Sequence, residues 1–301
     1  MASPAIPLSE SELKLLQTLV YQECGMFFDE RRSHFLQDRL QRRLRACRLE
    51  SFFSYYRLLT SREGRAELAA LLENLTINET SFFRNKPQLD LFHKVTLEEL
   101  LREKHSRRDF SIRIWSAGCS TGQEPYTIAM LLCDALSYYT LRNAPSLAPE
   151  HISPKPLVPP PWRVEILASD ISYSALRTAQ EGNYSEQQME PVDFMYRLRY
   201  FDKIAAHYTV KQALKEIVKF DFHNLKTEYL PQGNDIIFCR NVMIYFDEPE
   251  QKRLVEKLNR CLRPSGYLFV GHAETLFGLS DKFRMIHQNN GTVYQRGEVQ
   301  A

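Results

Sequence analysis

The stretch that most constrains this chain is residues 111–130, SIRIWSAGCSTGQEPYTIAM. It opens as a short apolar strand at residues 112–115, breaks at small residues and glycines, and resumes from Pro125 as an amphipathic run at helical spacing. A strand that passes through a glycine turn into a helix commits its surroundings to an α/β arrangement. Gly118 and Gly122 let the backbone pass close to a bound molecule, and the helix start that follows offers N–H groups and a partial positive charge. The turn is therefore expected to cradle a cofactor. The same residues also fit a tight strand-to-helix connection in which the glycines serve packing and Glu124 is simply a residue of the helix start.

The glycines lie four apart, so this is not the G-x-G-x-x-G of a dinucleotide site, and Glu124 stands where a pyrophosphate would approach. An acid there suits a ligand that carries an ammonium and a sulfonium, the charge pattern of S-adenosylmethionine. The turn reads as the first motif of a methyltransferase, and a nicotinamide-dependent oxidoreductase is disfavoured.

With 301 residues there is room for one large or two moderate domains and a substantial core. A net charge of +2 implies no polyelectrolyte behaviour. No apolar run is long enough to span a membrane, and MASPAIPLSESELKLL lacks the basic-then-apolar order of a signal peptide, so a cytoplasmic protein is expected. The six cysteines form no C-x-x-C pair and the eight histidines no H-x-x-x-H, so neither metal site nor disulfide frame is expected.

Residues 9–24 read as a helix capped by Ser9 or Ser11, with Leu13, Leu16, Leu19 and Val20 on one face. After a turn at Gly25, residues 31–48 hold seven arginines against one acid, Asp38, while Leu36, Leu40, Leu44 and Cys47 recur at helical spacing. This basic outer face fits a solvated surface or a docking surface for an acidic partner. Without interleaved aromatics it fits nucleic acid poorly. The helical pattern continues over 52–59 and 65–75. The segment LTINETSFFRN then carries Phe82 and Phe83 beside Arg84. It is either a loop that caps a helix and buries two phenylalanines, or a lid whose Asn78, Thr80 and Arg84 reach into the cofactor site.

A charged helical connection over 86–108 leads to the glycine turn, whose helix is expected to end near Tyr139. Residues 144–161 hold seven prolines and read as an exposed loop within the domain. A strand at 164–167 leads to Asp170, an acid placed to accept hydrogen bonds from two ribose hydroxyls or to cap the helix over 174–180. Tyr196, Leu198, Tyr200 and residues 207–210 suggest a small antiparallel insertion. Strands at 217–222 and 235–239 follow, then a helix over 253–262 stopped by Pro264 and Gly266, a strand at 267–270, and a closing hairpin of 283–287 with 292–295.

Together NETSFFRN, SAGCSTGQEPYTIA, ASDIS, FHNL, IIFCRNVMIYFD and GYLFVGHAE, in this order over roughly residues 10–296, resemble the CheR family of chemoreceptor glutamate methyltransferases. The resemblance implies an all-helical receptor-recognition domain over 1–84. It implies next an α/β, Rossmann-like, S-adenosylmethionine-dependent methyltransferase domain over 85–301, with an antiparallel β-subdomain inserted at about 190–216. Carried onto matching positions, Asn78, Thr80, Arg84, Glu124, Asp170, Asn224, Leu225, Arg240 and Asn241 would line the cofactor site. Asp170 would hold the ribose, Asn224 and Leu225 the adenine edge, and Glu124 with Arg240 the methionine portion. Arg84 and Tyr245 would stand near the methyl group as catalytic residues, and Arg39, Arg42, Arg43 and Arg45 would bind the receptor. The implied cofactor is S-adenosylmethionine, which leaves as S-adenosylhomocysteine. The implied partner is the cytoplasmic helical region of chemoreceptors, met by a monomer without nucleic acid or membrane insertion.

Two features depart from the family. The proline-rich loop is longer than the family needs, and the turn DKIAAH at 202–207 lacks the glycines of members that tether to a receptor peptide, so no tethering is expected. A glutamate acceptor needs no general base, because a carboxylate of pKa about 4.3 is ionised at neutral pH. An amine or nucleic acid base as acceptor would want a proton acceptor or stacking platform, and RNVMIYF offers little of either. A family member that only binds cofactor and signals is disfavoured by the intact Arg84, Asp170, Asn241 and Tyr245.

Overall fold

The computed structural model describes residues 6–143 and 156–297. Its first part is helical: α1 (Glu10–Cys24), α2 (Glu30–Ala46), α3 (Phe52–Thr60) and α4 (Arg65–Leu75). Ser9, Asp29 and Ser51 accept backbone N–H groups at the starts of α1, α2 and α3, and Glu12 completes a capping box with Ser9. Leu36, Leu40 and Leu44 bury one stripe of α2 against Leu16, Val20, Tyr55 and Leu71, leaving the arginines to the other faces.

Helix α5 (Lys86–Leu91), a π-helical turn (Phe92–Thr96) and α6 (Leu97–Ser106) lead into β1 (Ser111–Ala117) and α7 (Gln123–Asn143). There follow β2 (Arg163–Asp170), α8 (Tyr173–Glu181), β3 (Asn183–Ser185), α9 (Phe194–Tyr200), β4 (Phe201–Ile204), β5 (His207–Val210), α10 (Gln212–Lys215) and β6 (Val218–Phe222). The chain ends with β7 (Asn234–Cys239), α11 (Glu248–Cys261), β8 (Leu262–Val270), β9 (Phe283–Gln288) and β10 (Gly291–Arg296).

The large sheet has the order β6-β2-β1-β7-β8-β10-β9. Strands β6, β2, β1, β7 and β8 run parallel, and the closing hairpin adds β10 antiparallel to β8, with β9 at the edge. Every residue of β7 is buried, as expected of a central strand covered on both faces. From β1 the chain builds outward through β2 and β6, then crosses to the other side of β1 with β7. The reversal opens a crevice at the carboxyl ends of β1 and β7, where α/β sheets bind ligands.

Three sequence expectations need correction. Tyr196, Leu198 and Tyr200 lie on helix α9, not on a strand. Asp193 caps that helix, and Tyr196 stacks on Tyr200 one turn away, so a pattern that satisfies a period of two also satisfies the spacing of a helical face. The small sheet, β3-β5-β4, consequently starts at Asn183, earlier than position 190. Pro264 and Gly266 do not end a helix but lie within β8. There the register against β7 jumps from Asn234↔Leu262 to Ile236↔Tyr267, so the intervening residues bulge out of the ladder. Residues 144–155 of the proline-rich loop lie outside the described residues. The β4–β5 turn is as short as expected, with only Ala205 and Ala206 between the strands.

Candidate active site

A cleft with about 920 Å³ of empty space, part of it open to solvent, occupies the crevice at the carboxyl ends of β1 and β7. Asn78, Thr80, Arg84, Glu124, Asp170, Asn224, Leu225, Arg240, Asn241 and Tyr245 all line it. These residues come from elements far apart in sequence and converge only because of the strand order. Arg39, Arg42, Arg43 and Arg45 do not line it and stand on α2.

The glycine turn works differently from the cradle expected of it. Gly118 N–H and Cys119 N–H both donate to Ser169 O, at 2.8 and 3.0 Å, and Ser120 N–H donates to Asp170 Oδ2 at 2.8 Å. These donors are therefore spent within the protein and are not arranged for an anion. Gly118 has φ +80°, and a Cβ on it would lie 2.5 Å from Val242 Cγ2, so its bareness serves the approach of the β7 loop to the turn. Gly122 does not line the cleft and packs against Ala179 and Tyr184. Gly122 thus serves packing, while Gly118 serves packing and also lines the cleft, as expected of it.

Glu124 sits in the first turn of α7, accepts from Ser116 Oγ at 2.8 Å and pairs with Arg240 Nη1 at 3.1 Å. Burial pushes its carboxyl above the usual range, opposed by the Arg240 guanidinium and the Ser116 hydroxyl. Arg240, whose side chain is 3% exposed, also donates through Nη2 to Arg84 O at 2.7 Å. Its buried Nε has no hydrogen-bond partner among the described residues. A buried donor without a partner is costly unless a ligand supplies the acceptor.

Asp170 is held by two backbone N–H groups, from Ser120 and from Ser172 at 2.9 Å. Burial raises its pKa against these donors. The α8 cap is Ser172, so Asp170 is not a capping residue and faces the cleft. Asn224 donates to Glu23 O at 2.7 Å, tying the cleft wall to the end of α1.

In the segment between α4 and α5, Phe82 is buried edge-on against Tyr184 and Phe201 and Phe83 is half-buried, while Asn78, Thr80 and Arg84 line the cleft. Arg84 Nη1 donates to Glu79 O at 3.0 Å. Tyr245 ends a short 3-10 turn; burial raises its pKa, and Arg32 and Arg84 oppose the shift.

Some contributors escaped the sequence reading. Arg32 from α2 donates to Ile244 O at 2.5 Å, with its guanidinium 5.9 Å from the Tyr245 ring. Glu73 on α4 accepts from Ser172 Oγ and Ser174 N–H, at 3.1 and 2.7 Å, at the start of α8. It thereby ties the helical part to the residue that orients Asp170. No spacing in the sequence could have paired these residues. Arg43 is held within the helical part: its fork grips Glu67 on α4, which also accepts the Tyr55 hydroxyl at 2.7 Å. Arg42 and Arg45 are exposed, and Arg39 lies over the Phe35 ring at 4.9 Å.

The donor set fits S-adenosylmethionine. A buried acid lies beside an arginine with an unspent donor, a buried aspartate also lines the cleft, and the Gly118, Cys119 and Ser120 N–H groups are spent within the protein. Among the described residues no group of ligating side chains could hold a metal ion, and no helix is long and apolar enough to cross a membrane.

Comparison with known proteins agrees with this geometry. Residues 11–76 match the family model described as the CheR methyltransferase all-alpha domain, and residues 78–144 and 157–292 match the CheR methyltransferase SAM binding domain. The chain is 33% identical to the chemotaxis protein methyltransferase of Salmonella typhimurium, covering 98% of this chain and 93% of that protein. It is also 33% identical to those of Escherichia coli, with 96% and 92% covered, and of Borreliella burgdorferi, with 91% of each.

Proposed function

Since the chain belongs to the CheR methyltransferase family, we propose that it transfers methyl groups to glutamate side chains on the cytoplasmic helical region of chemoreceptors, forming the methyl esters of sensory adaptation. It is an S-adenosylmethionine-dependent methyltransferase. In this reading residues 1–84 recognise the receptor and residues 85–301 carry the transfer. The observation that supports the site assignment best is the convergence, at the switch point of the sheet, of Glu124, Arg240 with its unpartnered Nε, and Asp170.

Bound S-adenosylmethionine supplies a methyl group activated by its positive sulfur. Glu124 would face the ammonium, Arg240 the carboxylate and Asp170 the ribose, while Asn224 and Leu225 border the adenine. Asn78, Thr80 and Asn241 complete the lining. The acceptor glutamate is ionised at neutral pH, with a pKa of about 4.3, so the protein removes no proton. Arg84 and Tyr245 orient that carboxylate and exclude water from it, which is where most of the rate arises when an anion meets a cation. A tight ion pair from Arg84 would also restrain the nucleophile, so its role is orientation. Arg39, Arg42 and Arg45 on α2 form the receptor-facing surface. The protein acts in the cytoplasm as a monomer, without a receptor tether, in keeping with the short β4–β5 turn.

The test is to incubate the protein with methyl-labelled S-adenosylmethionine and receptor cytoplasmic fragments, then treat the product with mild alkali. Label released as methanol is the expected result. Alkali-stable label would contradict a carboxyl ester, and no label despite cofactor binding would contradict this acceptor.

A further inference from the structure

The carboxyl ends of β7 and β8 are joined by one side chain that the reading above leaves without a role. Glu274 Oε2 accepts Asn241 N–H at 2.9 Å and Gly271 N–H at 2.5 Å, and its Oε1 accepts Ile244 N–H at 3.2 Å. One carboxylate therefore closes three backbone donors across two chain segments. Hydrogen bonds to a carboxylate are stronger than those between neutral groups.

The segment it grips needs holding. Asn241 is left-handed, with φ +60°, and the chain then turns through a single 3-10 turn to bring Tyr245 to the cleft. On its other side the segment is wedged by Val242 against bare Gly118. Gly271 is bare for the matching reason: a Cβ there would lie 2.7 Å from Glu274 Oε2, 2.9 Å from Asn241 N and 3.0 Å from Asn241 Nδ2. The loop that carries Asn241 and Tyr245 is thus clamped between a glycine with a valine on one side and a glycine with a glutamate on the other.

We propose that Glu274 is a positioning residue for methyl transfer, acting through the backbone of residues 241–245 to set the placement of Tyr245. The proposal rests on the assignment of Tyr245 to the reacting end of the cleft. Glutamine is the informative replacement. Its amide keeps the size of the side chain, yet turns one accepting oxygen into a donor that faces either the Ile244 N–H or the Asn241 and Gly271 pair.

The experiment compares wild type, Glu274→Gln, Gly271→Ala, Tyr245→Phe and the double variant Glu274→Gln/Tyr245→Phe. Two readouts are taken: amide hydrogen exchange, and methyl transfer to receptor fragments at saturating cofactor. Glu274→Gln and Gly271→Ala should speed exchange about tenfold at the Asn241 and Ile244 amides while the β1 and β2 amides keep their rates. Both should lower turnover about 10- to 100-fold, the range for a misplaced reacting group. Once Tyr245→Phe has removed the group being positioned, adding Glu274→Gln should cost no further turnover. Unchanged exchange in this loop overturns the proposal, and so do losses that multiply in the double variant. If Glu274→Gln does not fold, Gly271→Ala, alone and combined with Tyr245→Phe, decides the question by the same readouts. Absence of methyl transfer in wild type would count against the receptor reading alone, because the exchange measurement needs no acceptor.

Discussion

Asp235 and Arg240 stand at opposite ends of β7, and the charges around them are arranged to opposite effect. At the amino end, Asp235 Oδ1 lies 2.9 Å from Lys104 Nζ and 2.5 Å from Arg263 Nε, while Oδ2 accepts Arg113 N–H at 2.8 Å. Lys104 has a second carboxylate in Asp109 and Arg263 a second in Glu103, at 2.7 and 2.8 Å. At the carboxyl end, Arg240 has one carboxylate and one carbonyl and keeps an unpartnered Nε. The hydrogen bond from Arg263 holds Glu103 below the usual carboxylate range, whereas burial holds Glu124 above it. Arg263 Nε and Asp235 Oδ1 meet as an ion pair without a hydrogen bond, so each end holds an arginine Nε that makes none. The ends differ in charge: Lys104 and Arg263 each face two carboxylates, whereas Arg240 faces one.

Breaking the amino end should have the largest effect on stability. Asp235→Asn leaves buried Lys104 and half-buried Arg263 undercompensated and should cost about 3 kcal/mol, read as a lower midpoint of urea unfolding, with S-adenosylhomocysteine affinity of the folded protein retained. Loss of affinity without loss of stability would erase the contrast.

Glu124→Gln should act on the ligand as well as on the fold. Affinity for S-adenosylhomocysteine by calorimetry should fall about 10- to 100-fold, or about 1.4 to 2.7 kcal/mol, and the unfolding midpoint should fall too, because buried Arg240 loses its one carboxylate.

The two ends should also differ in pH dependence. Glu124 has a raised pKa, so cofactor binding should be complete above that value and weaken as pH falls through it, starting above the ordinary glutamate range; Glu124→Gln should show no such step. Its ionisation also opposes folding, so its contribution to the stability of the unliganded protein declines as pH rises from the ordinary glutamate value through the raised one. Glu103 has a lowered pKa, so the stability it contributes is complete above the ordinary value and is lost as pH falls through the lowered one. Unfolding midpoints across an acid series in wild type, Glu124→Gln and Glu103→Gln would separate the two.

The smallest test carries the same distinction to α2. Arg43→Ala should cost about 1 to 2 kcal/mol by breaking its grip on Glu67. Arg42→Ala should leave stability alone and lower receptor methylation severalfold at low salt, an effect that fades as salt rises. A salt-insensitive rate in Arg42→Ala would remove it from the docking surface.

Much of this was legible in the sequence because it depends on near neighbours. The cap at Ser9, the apolar stripe of α2 and the buried strand β7 follow from local spacing. The assigned lining residues could be named from the resemblance, and they do meet in one cleft. What stayed hidden depends on long-range approach. Nothing near Arg43 announces Glu67, nothing near Asn241 announces Glu274, and Gly122 looks like a ligand contact until Ala179 and Tyr184 are seen against it. Helix α9 was misread for a different reason, since Tyr196 and Tyr200 fit both periods and only packing on α7 decides between them; Tyr200 donates to Asp134 there at 2.9 Å.

The most direct test of the account is the rise in unfolding temperature at one saturating concentration of S-adenosylhomocysteine, measured on wild type, Asp235→Asn and Glu124→Gln. Ligand bound only by the folded state stabilises by an amount that grows with the logarithm of its affinity. Asp235→Asn should start from a lower midpoint and show the wild-type rise, and Glu124→Gln, whatever its starting midpoint, should show a much smaller one. Equal rises in wild type and Glu124→Gln, or a rise abolished in Asp235→Asn, would contradict the assignment of the two ends of β7.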